Sequence, residues 1–179
     1  MADLISRKLK HQFKRTDVDG DGHIAQADFH RITAWVAGRL GQPLGSAVHK
    51  RMQDAYDVLW SNLVGLDVNH DGSISPEEWE QGWRHISAAG QFEATIGHLA
   101  MTLFDCVDTD GQGTICDTEY SNWLCAHGVA PQEAQDAFRR LDLNGDGSLS
   151  KSEIASHVKD FFTSEDPNAA GNWLFGAGF

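Results

Sequence analysis

Apolar residues recur along the chain at helical spacing, and four of these runs stop abruptly at a stretch of Asp, Asn and Gly. Leu9 and Phe13 precede the first stretch, Leu59 and Leu63 the second, Phe104 and Val107 the third, Phe138 and Leu141 the fourth. Residues three or four apart share one face of an α-helix, so each pair predicts a helix running into a polar loop. A large apolar residue then follows each stretch: Phe29, Trp79, Tyr120 and Ile154. These predict four exiting helices, each with its own buried face, and an all-α fold class. A further helical run, SAVHKRMQDAYDVLWSNLVGL, lengthens the first half and is entered through the turn-forming GQPLG at 41–45. The halves are joined only by SAAGQFEAT (87–95), with Gly90 marking a bend. That connector is no long polar tether, so the halves are expected to pack into one compact globule.

The polar stretches are copies of one pattern. They read DVDGDGHIAQAD from Asp17, DVNHDGSISPEE from Asp67, DTDGQGTICDTE from Asp108 and DLNGDGSLSKSE from Asp142. Oxygen-bearing side chains stand at positions 1, 3 and 5, glycine at 6, an aliphatic residue at 8 and a carboxylate at 12. A hard cation of calcium's size takes about six to eight oxygens, more than one helix face presents, and a tight loop turns alternate side chains inward. Gly22, Gly72, Gly113 and Gly147 permit the sharp turn in mid-loop. Position 7 contributes a backbone carbonyl, so His23, Ser73, Thr114 and Ser148 are free to differ. This pattern resembles the EF-hand calcium loop. The resemblance implies that loops work in pairs, first with second and third with fourth, joined by a short β-bridge through Ile24, Ile74, Ile115 and Leu149.

Loop starts at 17, 67, 108 and 142 are spaced 50, 41 and 34 residues apart, unlike the even spacing of calmodulin-like sensors. The uneven spacing resembles sarcoplasmic calcium-binding proteins and their bacterial relatives of the calerythrin type. The terminal run FFTSEDPNAAGNWLFG resembles the ends of actinobacterial members. The expected division is one loop pair in 1–89, a second in 90–163 and an apolar tail, 164–179, that docks on the globule.

The four loops are not chemically equal. The second (Asp67, Asn69, Asp71, Ser73, Glu78) and the fourth (Asp142, Asn144, Asp146, Ser148, Glu153) each supply three carboxylates and are the strongest candidate calcium sites. The first has four acids, Asp17, Asp19, Asp21 and Asp28, with His23 at position 7. Its last ligand is one methylene shorter than glutamate, which suits magnesium's smaller shell as well as calcium's. The third (Asp108, Asp110, Gln112, Thr114, Glu119) has a long neutral amide at position 5 and is expected to be weak or empty. Cys116 at position 9 of that loop is a poor partner for a hard cation and is read as a spectator.

Charge agrees with cations as partners. Asp and Glu number 26 against 14 Lys and Arg, a net charge of −12 and a pI near 5.0. That balance argues against nucleic acid and anionic membranes. Three cysteines without a CxxC pair, no signal-like opening and no membrane-length apolar run point to a reduced, cytoplasmic protein, taken as a monomer. The basic residues Arg7, Lys8, Lys10, Lys14 and Arg15 are read as the solvated face of the first helix. No hydrolase, protease or phosphate-binding motif appears, so catalysis is not expected.

Three functions stay open. Calcium buffering or storage is the leading one. The second is a sensor that grips a protein target, but the chain has only Met1, Met52 and Met101 for the adaptable groove sensors use. The third rests on likeness to photoproteins and luciferin-binding proteins, with an imidazopyrazinone held among Trp35, Trp60, Trp83, Trp123 or Trp173 and His85, His98, His127 or His157.

Overall fold

The computed structural model describes residues 3–90 and 93–177; Met1 and Phe179 lie outside this range. Among the described residues the fold is mostly helical. Its helices are α1 (Leu4–Thr16), α2 (Gln26–Arg39), α3 (Ala47–Leu63), α4 (Pro76–Ala88), α5 (His98–Val107), α6 (Asp117–Ala126), α7 (Pro131–Leu141) and α8 (Lys151–Thr163). Among the described residues no helix is long and apolar enough to cross a membrane.

Local chemistry sets the helix boundaries. Ser75 and Ser150 cap α4 and α8 through their hydroxyls, while Glu78 and Glu153 three residues on reach back to the cap amides. Pro76 and Pro131 occupy first-turn positions, where a missing N–H costs nothing. Gly90 ends the α4 region with φ at 67°, as its bend predicted. The apolar residues flanking every loop, Leu9, Phe13, Leu59, Leu63, Phe104, Val107, Phe138 and Leu141 before and Phe29, Trp79, Tyr120 and Ile154 after, are all buried.

Loops pair in sequence order. Ile24 and Ile74 form an antiparallel bridge, exchanging N–H···O bonds of 2.9 and 2.8 Å. The third and fourth loops form a two-stranded sheet, β1 (Thr114–Cys116) with β2 (Ser148–Ser150), in which Ile115 faces Leu149. One continuous core then joins the halves: α3 packs on α5, α2 on α6, and α1 on α8. The two loop pairs therefore form one globule.

The basic face of α1 departs from its expected exposure. Arg7, Lys10 and Lys14 are exposed, but Arg15 is half-buried against Glu133 at 3.2 Å. Lys8 is fully buried, its Nζ donating to the carbonyls of Ser164 (2.7 Å) and Asp160 (3.1 Å) at the end of α8. A lysine satisfies those terminal carbonyls and complements the helix dipole, which offsets the cost of burying its charge.

The residues after α8 lie on the globule. A short 3-10 turn, Ala170–Trp173, packs on α8 so closely that a Cβ on Gly171 would stand 2.4 Å from the His157 carbonyl. Tyr120 donates its hydroxyl to the Leu174 carbonyl (3.0 Å), His11 Nε2 lies 2.9 Å from the Phe175 carbonyl, and the Ala177 amide donates to Glu133 (2.9 Å). Leu174 is buried, a contribution of about 2 kcal/mol for a side chain of its size.

Candidate metal centres

The loops are built on their own backbone amides. In each, the position-1 aspartate accepts the amide of the position-6 glycine: Gly22 to Asp17 (3.0 Å), and Gly72 to Asp67, Gly113 to Asp108 and Gly147 to Asp142 (2.9 Å each). Position 3 accepts the amide of position 5: Asp21 to Asp19, Asp71 to Asn69, Gln112 to Asp110 and Asp146 to Asn144. In the first, second and fourth loops position 5 accepts the amide of position 7, from His23, Ser73 and Ser148 at 2.9 Å. These bonds tie the acidic and amide side chains of each loop to its own backbone.

Position 12 closes each loop. Glu78 accepts the Val68 amide at 2.9 Å with one oxygen and the Ser75 amide and hydroxyl at 2.9 and 2.8 Å with the other. Glu119 spans its loop in the same way, from the Thr109 amide and hydroxyl (2.7 Å each) to the Cys116 amide (3.1 Å). Glu153 accepts from the Ser150 amide (2.9 Å) and hydroxyl (2.7 Å). Asp28 accepts the Ala25 amide at 2.9 Å and meets Arg31 Nη1 at 3.3 Å.

Electrostatics follow from these partners. The Ser75 amide and hydroxyl hold Glu78 below the ordinary carboxylate range, and the Ser73 and Ser148 hydroxyls and amides do the same for Asp71 and Asp146. Burial works to raise Glu119, but bonds from Thr109 and Cys116 bring it below its ordinary value. Asp28 is the exception. Burial raises its carboxyl, helped by Asp19, and outweighs the Ala25 and Val18 amides and Arg31.

Hard oxygen donors in convergent sets suit a divalent cation. Asp17, Asp19 and Asp21 each place a carboxylate oxygen within 4.8 Å of the others, and so do Asp108, Asp110 and Glu119. The third loop is thus better assembled than its composition suggests. Its Gln112, however, turns its amide nitrogen to Asp110 Oδ2 (2.9 Å). Cys116 is exposed. The second loop differs at position 4: His70 adopts φ 58°, where the other loops use Gly20, Gly111 and Gly145. His23 and Ser73, the position-7 residues of the first two loops, meet across the pair at 3.3 Å.

Between the halves lies a cavity of about 110 Å³, apolar over most of its wall. Of the aromatic and histidine residues considered from sequence, Trp83, Trp123 and His127 line it, while Trp35 is 47% exposed. Gln12, Tyr56, Trp79 and Tyr120 also line it; the sequence marks Trp79 and Tyr120 as core residues after a loop, and nothing local marks Gln12 or Tyr56. Three buried polar atoms in its lining residues, Gln12 Oε1, Trp79 Nε1 and Trp83 Nε1, have no hydrogen-bond partner.

Comparison with known proteins agrees with this geometry. An EF-hand family model matches residues 66–83 and 134–159. Calerythrin of Saccharopolyspora erythraea is 30% identical over 162 residues, covering 88% of this chain and 92% of calerythrin. A calcium-binding protein of Streptomyces coelicolor, described in connection with calcium-mediated regulation, superposes with a TM-score of 0.76 at 27% identity, over 89% of this chain and 98% of that one. The calcium-loaded apo form of the coelenterazine-binding protein from Renilla muelleri gives a TM-score of 0.74 at 26% identity, over 96% of this chain and 93% of that one. A four-fold loop pattern, loops bridged in pairs and full-length similarity coincide: this chain belongs to the EF-hand calcium-binding proteins of the calerythrin type.

Proposed function

We propose that the protein is a cytoplasmic, monomeric calcium buffer in which four loops take up the ion through Asp17, Asp19, Asp21, His23 and Asp28; Asp67, Asn69, Asp71, Ser73 and Glu78; Asp108, Asp110, Gln112, Thr114 and Glu119; and Asp142, Asn144, Asp146, Ser148 and Glu153. His23, Ser73, Thr114 and Ser148 act through their backbone carbonyls. The second and fourth loops bind most strongly, the first exchanges calcium with magnesium, and the third is weakest because Gln112 sets a long amide at position 5 that must fold back to reach the ion. One observation carries buffering over sensing: the apolar faces of the two halves are already buried against each other in one core, with residues 170–177 laid across it. A sensor must expose such a face to a target. Calorimetric calcium titration with hydrophobic-dye fluorescence tests this. Calcium uptake with little change in dye signal is expected; a large calcium-dependent rise would favour the sensor.

A second reading, capture of a planar heterocycle, is favoured by the cavity with its unpartnered Gln12, Trp79 and Trp83 atoms. Buried polar groups normally find partners, and a ligand with both donor and acceptor atoms would supply them. The Renilla muelleri relative is a coelenterazine-binding protein. Titration of this protein with coelenterazine, read by tryptophan quenching, tests that reading, and unchanged emission at saturating ligand would refute it.

A further inference from the structure

The first loop carries a cation of its own. Arg31 lies on α2, one turn beyond Asp28, and its side chain folds back over the loop. Its Nη1 stands 2.5 Å from Asp19 Oδ2 and 3.3 Å from Asp28 Oδ1, bridging positions 3 and 12. The other oxygen of each carboxylate is committed to backbone: Asp19 Oδ1 accepts the Asp21 amide at 3.3 Å and Asp28 Oδ2 the Ala25 amide at 2.9 Å. The guanidinium therefore adds a charged donor to two carboxylates that the loop's own amides already hold.

No other loop has a cation at this position. The corresponding residues, three beyond position 12, are Gln81, Asn122 and Ser156, all uncharged. The first loop is also alone in having four acids at positions 1, 3, 5 and 12. Arg31 brings its net charge to −3, the value of each of the other three. Four carboxylates crowded on one turn repel, and a guanidinium within reach of two of them relieves that repulsion at little desolvation cost, because Arg31 is itself 43% exposed.

We propose that Arg31 is a resident counter-ion of the first loop, holding Asp19 and Asp28 in the metal-free protein and released by them when the loop takes a divalent cation. The proposal rests on reading Asp17, Asp19, Asp21 and Asp28 as ligands. An oxygen that shares its charge with a guanidinium has less to offer a second cation, and two cations sharing Asp19 repel. Arg31 thus stabilises the empty loop and weakens the filled one.

The test uses the full chain with Arg31→Gln, and with Lys10→Gln as a variant that removes an exposed charge elsewhere on the surface. Calcium titration is followed by NMR at the Gly22 amide, which reports on the first loop through its bond to Asp17. Arg31→Gln should bind calcium at this loop about two- to fivefold more tightly, the ratio expected for losing a half-exposed ion pair. It should also melt at lower temperature in chelator, whereas Lys10→Gln should leave the Gly22 titration unchanged. Equal affinity in Arg31→Gln and the parent, or an equal gain in Lys10→Gln, would overturn the role of Arg31 alone. A Gly22 amide that calcium moves in none of the three proteins would overturn the ligand assignment, and the proposal with it.

Discussion

His127 sits at the end of α6 with its side chain buried and its Nδ1 3.0 Å from the Trp123 carbonyl. Burial holds its pKa down to about 4, against an ordinary 6.5; the Trp123 carbonyl works the other way and the Arg15 charge adds to the lowering. Protonation therefore favours the unfolded chain between these two values. Above pH 6.5 both states hold the ring neutral; as pH falls toward 4 the unfolded chain gains a proton that the folded one refuses, and stability is lost. At about 1.4 kcal/mol per pH unit the whole window amounts to about 3 kcal/mol. For a chain of this length that is a fall of about 6–12 °C in melting temperature. His127→Gln removes the titration while keeping an N–H donor for the Trp123 carbonyl. Thermal melts by circular dichroism from pH 7 to 4, in chelator, should show the parent losing this much more than the variant. Carboxylates and His11 titrate in both proteins, so only the difference between the two slopes matters. Parallel slopes would refute the assignment of a buried neutral imidazole.

Glu78→Gln sets an amide nitrogen against either the Val68 or the Ser75 donor; it should lower stability by about 1–2 kcal/mol even in chelator and weaken calcium uptake at the second loop, both measured by calorimetry. Asp28→Glu restores the longer position-12 side chain; competition calorimetry should show magnesium losing ground to calcium at the first loop, and an unchanged ratio would sink the idea. His70→Gly relieves the only non-glycine positive φ among the described residues, and the melt in chelator should rise by an amount equivalent to about 0.5–1 kcal/mol.

Local information was enough for the loops and their flanks. Twelve-residue spacing decides which oxygens turn inward, and a helical period of apolar residues decides which face is buried; both are properties of consecutive residues. Hence Asp67, Asn69, Asp71 and Glu78 stand at one loop, Trp79 lies in the core beside it, and Ile24 meets Ile74 across the pair. Period and spacing do not say what a buried face is buried against, because hydrophobic burial has no direction. Lys8 reads as a surface charge until α1 is laid on α8, where it meets the Ser164 carbonyl 156 residues away. Tyr120 reads as ordinary core, and nothing local gives His11 a partner, until the residues after α8 bring the Leu174 and Phe175 carbonyls to them. Trp79 and Trp83 share a cavity with Trp123 and His127 only because the two halves close over the same space. Arg31 lies between these cases: its place one turn after Asp28 is written in the chain, but its reach to Asp19 depends on how loop and helix fold together. Charge and hydrogen-bond partners brought from distant helices were settled by tertiary packing, since no local pattern encodes which polar groups that packing leaves in need of one another.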